Sequence, residues 1–543
     1  MKYELKANQG IPASLLVMLS IATGLSVANC YYNQPLLGSI ATDFKINDLS
    51  ANVVATLTQV GYMLGLLFII PLGDLLSRRK LILTNYVLAA CSLLAIGTAQ
   101  DIRIVWVASL IAGATSVMPQ FFIPFVSYHS APSHKTRNVG IMQSCLLVGI
   151  LGSRILSGLI ADAWGWRMVY FIAAGLMAYC WLMMYKVLPA LPAQMKVTYG
   201  RLMKSLWHIL RKYPYLRIAS TRAALAYGAF FALWSCLAFK MKQAPFFAGD
   251  DVIGALGFCG LAGAATVGFI SKYISVYGAR RFSLIGGVVM LVAWLTAWCG
   301  GDSYAGIIIA ILLIDAGMQS IHLANQTSVV TLDAEAINRV NTLYMTIYFL
   351  GGSVGTFVAG ICWEHFQWTG TAIAGLTFIA LSLLVSFTFK ESKIFDLDGT
   401  LTDSFKGIVH SVQYALSRYG IVENDLHKLT PFIGPPLTYS FREFYHFSEA
   451  QADEAVRYYC EYFSEKGWCE NTAYPGIPEM LKTLCEAGKH LYVATSKPTE
   501  FAVRILEHFG LSVFFDYIGG ASFDRSRESK VEVMRYLCQL ANI

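Results

Sequence analysis

Charged residues are scarce in this 543-residue chain, at 14%, where soluble globular domains carry about 25%. That shortage excludes a single soluble enzyme, and a hydrophobic share of 56% excludes a disordered chain. Acids are rarer still in the first part. Residues 1–390 hold 13 Asp and Glu against 26 Lys and Arg, whereas residues 391–543 hold 21 against 15. An oily cationic portion is joined to an ordinary acidic one. Paired cysteines are missing as well. None of the twelve stands in a C-x-x-C spacing, so there is neither a zinc site nor a disulfide framework to argue for. The net charge of +7 belongs to the oily portion, and no nucleic-acid partner is expected.

What the chain does have is long apolar runs. A spanning helix needs about 20 mostly apolar residues, and twelve such stretches occur, near 12–35, 50–73, 80–98, 103–126, 139–161, 167–189, 217–239, 251–271, 282–300, 304–327, 340–361 and 369–389. The first is followed by no A-x-A site, so it does not read as a cleaved signal. With the N-terminus placed in the cytoplasm, inside loops and ends carry 20 Lys and Arg, Arg222 counted among them, and outside loops 5, Lys240 and Lys242 included, with Arg154 alone inside a span. That asymmetry sets the orientation, and an even number of crossings brings both termini to the cytoplasm. The fold expected is an α-helical membrane protein with 12 transmembrane helices.

The spans read as two related six-helix halves, 1–190 and 217–390, joined by a basic cytoplasmic linker over 191–216. Arg79 and Arg280 stand 201 residues apart, and Trp166 and Trp368 stand 202 apart. Such duplication recurs in carriers that rock about a midplane site. Polar groups inside a membrane are expensive and mark function. Asp315, Gln319, His322 and Gln326 fall at i, i+4, i+7 and i+11 of one span, hence on one helical stripe. Asp315 lies about 16 Å deep at the helical rise. Arg154 is either its partner, as a structural ion pair or for cargo or proton coupling, or an anion-binding group. Asn33, Gln34 and Gln120 add neutral hydrogen-bonding groups. Gly149, Gly152, Gly158, Gly351 and Gly355 read as close-packing positions between helices.

The segment Pro71-Leu-Gly-Asp-Leu-Leu-Ser-Arg-Arg-Lys80 resembles the loop motif between helices 2 and 3 of the major facilitator superfamily. Ala28–Leu37, Gly149–Arg154 and Asn341–Thr346 resemble its bacterial efflux, drug:proton antiporter-like branch. The resemblance covers residues 10–390. It implies alternating access with helices 1, 4, 7 and 10 lining a central cavity, and a conformational latch made by Asp74, Arg79 and Lys80. It also implies a monomer in the bacterial inner membrane, exporting a small-molecule cargo against protons without a cofactor.

Past the last span the chain reads Lys393-Ile-Phe-Asp-Leu-Asp-Gly-Thr-Leu-Thr-Asp-Ser404. A short apolar strand delivers two aspartates, two apart and thus on one side, into a Gly-Thr turn. Asp396 can attack a phosphoryl group, Asp398 can serve as acid and base, and together they suit Mg2+. The string resembles motif I of haloacid dehalogenase-like phosphatases. The likeness implies phosphate binding by Thr495, charge neutralisation by Lys530 and a helical cap over about 405–470. In detail it is similar to the phosphoglycolate phosphatase type, an α/β Rossmann-like domain over 391–543. The later acid pair of motif IV, which completes the family's magnesium site, is not found before Ile543. The domain is therefore expected to be incomplete, with phosphatase activity weak or absent. Transport is the leading reading, and a membrane-tethered Mg-dependent phosphatase acting on a small monoester such as phosphoglycolate is the alternative.

Overall fold

A computed structural model describes residues 9–189, 198–260, 263, 266, 270, 273, 274, 278–333, 336–388, 392–486, 489–522, 527 and 530–541. The chain divides into two units, Met1–Thr388 and Phe389–Ile543.

The first unit is all helix, as lipid requires of chain segments whose backbone groups find no water. Its elements are α1 (Ala13–Ala28), α2 (Leu37–Phe44), α3 (Asp48–Leu64), α4 (Ile70–Leu75), α5 (Arg78–Thr98), α6 (Ile102–Thr115), α7 (Pro119–His129), α8 (Lys135–Trp164), α9 (Trp166–Val187), α10 (Tyr199–Lys212), α11 (Pro214–Lys242), α12 (Asp250–Ala255), α13 (Ala279–Cys299), α14 (Tyr304–Val330) and α15 (Ile337–Thr388). Among the described residues nine helices are long and apolar enough to cross a membrane. One of them, α15, is two helices merged across a kink at Gln367, whose φ is 53°. The first predicted span appears as the shorter apolar helix α1, followed by turns before α2. The eighth begins as α12, but eight of its residues, like 190–197 of the linker, lie outside the described ones.

Local chemistry sets several boundaries. The Asn47 side chain accepts from the Ser50 amide at 3.1 Å and caps α3, satisfying one of the donors a helix start leaves open. A π-turn at Gly65–Ile69 carries α3 into α4. Helices meet closely where glycines face each other. A Cβ on Gly149 would press into Gly24 of α1, and a Cβ on Gly351 or Gly355 would press into Ala224 or Gly228 of α11. Gly158 abuts Asp250 and Gly254 in the same way. Gly152 does not fit the expectation, since nothing lies within 4 Å of its Cβ position.

The second unit holds a three-stranded parallel sheet in the order β1 (Ser392–Phe395), β4 (His490–Pro498), β5 (Tyr517–Ala521). Phe395 pairs with Val493, and Val493 with Ile518. A small antiparallel pair, β2 (Thr402–Asp403) with β3 (Thr472–Ala473), brackets the helical insertion. That insertion carries α16 (Phe405–Ser417), α17 (Leu437–Tyr445) and α18 (Glu449–Tyr462). The sheet is flanked by α19 (Ile477–Glu486), α20 (Thr499–His508) and α21 (Lys530–Ala541). Leu397, Leu401, Val409, Val412, Leu481, Leu491, Val493 and Ile505 form its core.

Candidate functional site

Arg154, on α8, is 1% exposed. Its Nε donates to Gln34 Oε1 at 2.7 Å, and its guanidinium carbon lies 3.8 Å from the Trp234 ring centre and 5.2 Å from that of Tyr31. A cation over an indole face is held by the ring's quadrupole, more strongly where water is excluded. Arg154 is not in an ion pair with Asp315. No nitrogen–oxygen distance of 4.0 Å or less joins the two. Asp315, 5% exposed on α14, leaves Oδ2 unpartnered, and Arg154 Nη2, Gln34 Nε2 and Trp234 Nε1 are unpartnered donors. Each buried polar atom without a partner costs about 1–3 kcal/mol. Three of them, all donors, belong to one connected set around the Arg154 guanidinium.

An aromatic wall continues from it. The Tyr31 and Tyr227 hydroxyls are 3.3 Å apart, and Tyr227 stacks on Tyr348 with ring centres 3.8 Å apart. His322 lies against Tyr348, with Nδ1 3.2 Å from the Tyr344 hydroxyl. Asn33 donates to Thr58 Oγ1 at 2.9 Å and Gln326 donates to Asn341 Oδ1 at 3.1 Å. Gln319 is half-buried on the Asp315 stripe, its chain beneath Gly263.

The two ends of the bundle differ. At one, Trp363 Nε1 donates to Asp48 Oδ2 at 2.8 Å, Asn47 donates to Glu364 at 2.9 Å, and Lys242 pairs with Asp250 at 2.9 Å while donating to Ser39 at 2.6 Å. At the other, a cleft of about 70 Å³ is lined by Asp74, Arg78, Gln120, Arg339 and Asn341, among others. The expected latch is rearranged there. Asp74 pairs with Arg78 at 2.8 Å, while Arg79 donates to the Tyr185 carbonyl at 2.7 Å and Lys80 is exposed.

Sequence reading missed several of these groups. Arg222, counted with a loop, is 2% exposed inside α11 and donates twice to Asn325 Oδ1. Lys240 and Lys242, also assigned to a loop, belong to the same helix. Arg154 is thus not the only basic residue within a helix of the bundle. Tyr31 and Trp234 gave no signal, since aromatic residues in spans are as often packing.

In the second unit β1 leads into Asp396 and Asp398, and Gly399 turns away with φ 72°, a conformation glycine adopts without strain. Lys497 Nζ donates to Asp398 Oδ1 at 2.8 Å, and Lys530 pairs with Asp396 Oδ2. Thr495 is 1% exposed, and its Oγ1 accepts from the Lys497 amide at 3.3 Å. Asp396, Asp398, Thr495 and Lys530 are therefore brought together, and Lys497 joins them. Its spacing of two from Thr495 along a strand was the available signal. A cavity of about 210 Å³ opens over them, walled by Phe432, Leu437, Val456, Tyr459, Phe463 and Phe501. Burial pushes the Tyr459 hydroxyl and the Cys460 thiol up from their ordinary ranges, the nearby Asp398 charge adding to the first. Two aspartates are the hard oxygen donors suited to magnesium with its retained waters. No group of three or more His, Cys, Asp or Glu able to hold a metal occurs among the described residues.

A multi-helix bundle with a buried arginine and aspartate that do not pair, followed by an α/β unit presenting two aspartates at a strand end, defines a membrane transporter carrying a haloacid dehalogenase-like phosphatase domain. Residues 19–356 match the Major Facilitator Superfamily, and the chain belongs to that family. Residues 393–534 match haloacid dehalogenase-like hydrolases. The uncharacterized transporter YgaY of Escherichia coli is 35% identical over 380 residues, covering 70% of this chain and 96% of that protein. A 5'-nucleotidase of Pseudomonas aeruginosa is 51% identical over 144 residues, covering 26% of this chain and 65% of its own length. In fold, the solved nucleoside transporter NupG aligns with a TM-score of 0.53 at 15% identity, covering 69% of this chain and 98% of that one.

Proposed function

We propose that the chain is a proton-coupled exporter of a small molecule, working by alternating access as a monomer with twelve crossings in two six-helix halves. The halves are supported by a recurring crossing: α1 meets α8 through Gly24 and Gly149, and α11 meets α15 through Gly228 and Gly355. The basic loops favour a bacterial inner membrane with both termini cytoplasmic. One observation carries the reading. Arg154 and Asp315 lie buried and unpaired with each other in the bundle, each with an unfilled polar atom. A lone carboxylate in that setting exchanges a proton readily against another cation. The experiment is flux from proteoliposomes of the full chain under an imposed pH gradient, with Asp315→Asn beside it. Cargo movement that ignores the gradient and survives the substitution would remove the proposal.

A second reading is favoured by the phosphatase cavity. Asp396 attacks the phosphorus while the bond to the leaving oxygen breaks, and Asp398, positioned by Lys497, delivers the proton to that oxygen; Asp398 then takes a proton from the water that attacks the aspartyl-phosphate, which releases phosphate and restores Asp396. Thr495 and Lys530 hold phosphoryl oxygens. Asp396 and Asp398 are the residues that would hold magnesium, which when bound supplies positive charge beside the transferring group. The aromatic and aliphatic wall favours a monoester with a larger, flat leaving group over phosphoglycolate, whose carboxylate finds no further cation among the described lining residues. The likeness to a 5'-nucleotidase points the same way. Hydrolysis by the full chain of a nucleoside monophosphate against phosphoglycolate tests it.

A further inference from the structure

Three donors without acceptors converge on one place. Arg154 Nη2, Gln34 Nε2 and Trp234 Nε1 are all unpartnered. They form a connected set, since Arg154 donates to Gln34 through Nε and stacks on Trp234. The amide orientation of Gln34 is fixed by the network, because its oxygen must face the guanidinium. Every open valence there is an N–H, so the complement is an anion. Asp315 offers the opposite: its Oδ2 lacks any donor, and its complement is a cationic or donor-rich group.

If the two residues served only as a structural pair, they would close on each other, and these orphan atoms would vanish. No nitrogen–oxygen distance of 4.0 Å or less joins them, and both keep an unpartnered atom. Tyr31 lies beside Arg154, its hydroxyl meets that of Tyr227, and Tyr227 stacks on Tyr348, a surface suited to an apolar or planar body.

We propose that this site takes a small zwitterion, its anionic group on Arg154, Gln34 and Trp234 and its cationic group on Asp315, with an aromatic or apolar body against the tyrosines. This rests on the transporter reading and names the cargo class for it. A cargo charged at one end only leaves one set of buried polar atoms unfilled, so it binds less tightly.

The test uses the full chain in detergent with three probes of one shape: L-phenylalanine, phenethylamine, which lacks the anion, and 3-phenylpropionate, which lacks the cation. Binding is read by thermal unfolding and by quenching of tryptophan emission. Phenylalanine is expected to bind at least about tenfold tighter than either one-ended probe. Asp315→Asn is expected to erase its advantage over 3-phenylpropionate, and Gln34→Leu to reduce several-fold its advantage over phenethylamine. A one-ended probe equal to phenylalanine on the unaltered chain, or no binding of any of the three, overturns the proposal. Proteoliposome flux keeps the two readings separate. Gradient-driven movement of a one-ended cargo without phenylalanine binding overturns the zwitterion site and keeps the transporter. Phenylalanine binding with no flux of any cargo keeps the site and overturns the transporter.

Discussion

The guanidinium of Arg154 lies 3.8 Å from the centre of the Trp234 ring and makes no ion pair with Asp315. Stacking of this kind needs a flat, weakly hydrated cation, which lysine does not provide. Arg154→Lys is expected to weaken cargo binding about tenfold, equivalent to about 1.4 kcal/mol, while the maximal flux changes less. Flux titrated against cargo concentration checks this. A parallel fall in maximal flux with unchanged half-saturation would assign Arg154 to the conformational cycle.

Asp315→Asn separates coupling from binding. The amide keeps the shape of the side chain but cannot carry a proton in exchange. Gradient-driven export should fall at least about tenfold, a loss of about 1.4 kcal/mol or more of driving interaction. Cargo-for-cargo exchange, which needs no net proton movement, should persist at saturating cargo, with a raised half-saturation because Asp315 also holds the cargo's cationic group. Loss of both activities together would show that Asp315 serves the cargo or the fold alone.

The end of the bundle closed by Lys242, Asp250 and Ser39 is expected to work as a gate. Lys242→Met removes the ion pair and the bond to Ser39, while retaining the aliphatic stem that packs at Gly38. A partly buried pair of this kind contributes about 1 kcal/mol, enough to shift a balanced two-state equilibrium several-fold. Cys236 is fully buried on the same helix. Its labelling by a water-soluble maleimide should quicken several-fold in the variant. An unchanged labelling rate would deny these contacts a gating role.

Much of the fold was legible because lipid permits few choices. Apolar stretches of spanning length had to be helices. The two aspartates of the second unit were legible for a different reason, since strand periodicity places Asp396 and Asp398 on one side whatever the surroundings. What was not legible depended on rotation about helix axes and on depth. Gly149 and Gly152 look alike in sequence, yet one meets Gly24 and the other meets nothing. Arg222 stood near a basic loop and read as part of it, though α11 begins at Pro214 and carries it inside. The Asp315 stripe was visible from spacing alone. Its distance from Arg154 was not, because pairing across helices follows from packing that no local pattern records.

That contrast between glycines is itself testable. A Val at Gly351 would drive its side chain into the Ala224 backbone of the facing helix, an overpacked contact costing about 1–3 kcal/mol. Gly152→Val meets open space and should be tolerated. The melting temperature of the purified chain should fall by several degrees for the first and stay within error for the second. Equal effects would contradict the crossing at Gly351.

The phosphatase domain gives the last prediction. Lys497 is 8% exposed, and its side chain holds Asp398 while lying 4.6 Å over the Phe463 ring. Removing it leaves a largely buried carboxylate without its partner, at a cost of about 1–3 kcal/mol. Lys497→Met keeps the stem against Phe463 and deletes only the charge. Two consequences are expected in the full chain. Magnesium-dependent hydrolysis of a nucleoside monophosphate, whatever its absolute rate, should drop about tenfold or more, because Asp398 no longer holds its position toward the leaving oxygen. Hydrogen exchange along β4 should quicken, reporting the lost pair independently of turnover. Asp396→Asn is the control: it should abolish hydrolysis outright, since an amide cannot form the aspartyl-phosphate, while exchange along β4 stays close to that of the unaltered chain. If Lys497→Met quickens exchange but hydrolyses at the original rate, Lys497 is a stabilising residue only, and Asp398 is positioned by its own strand end.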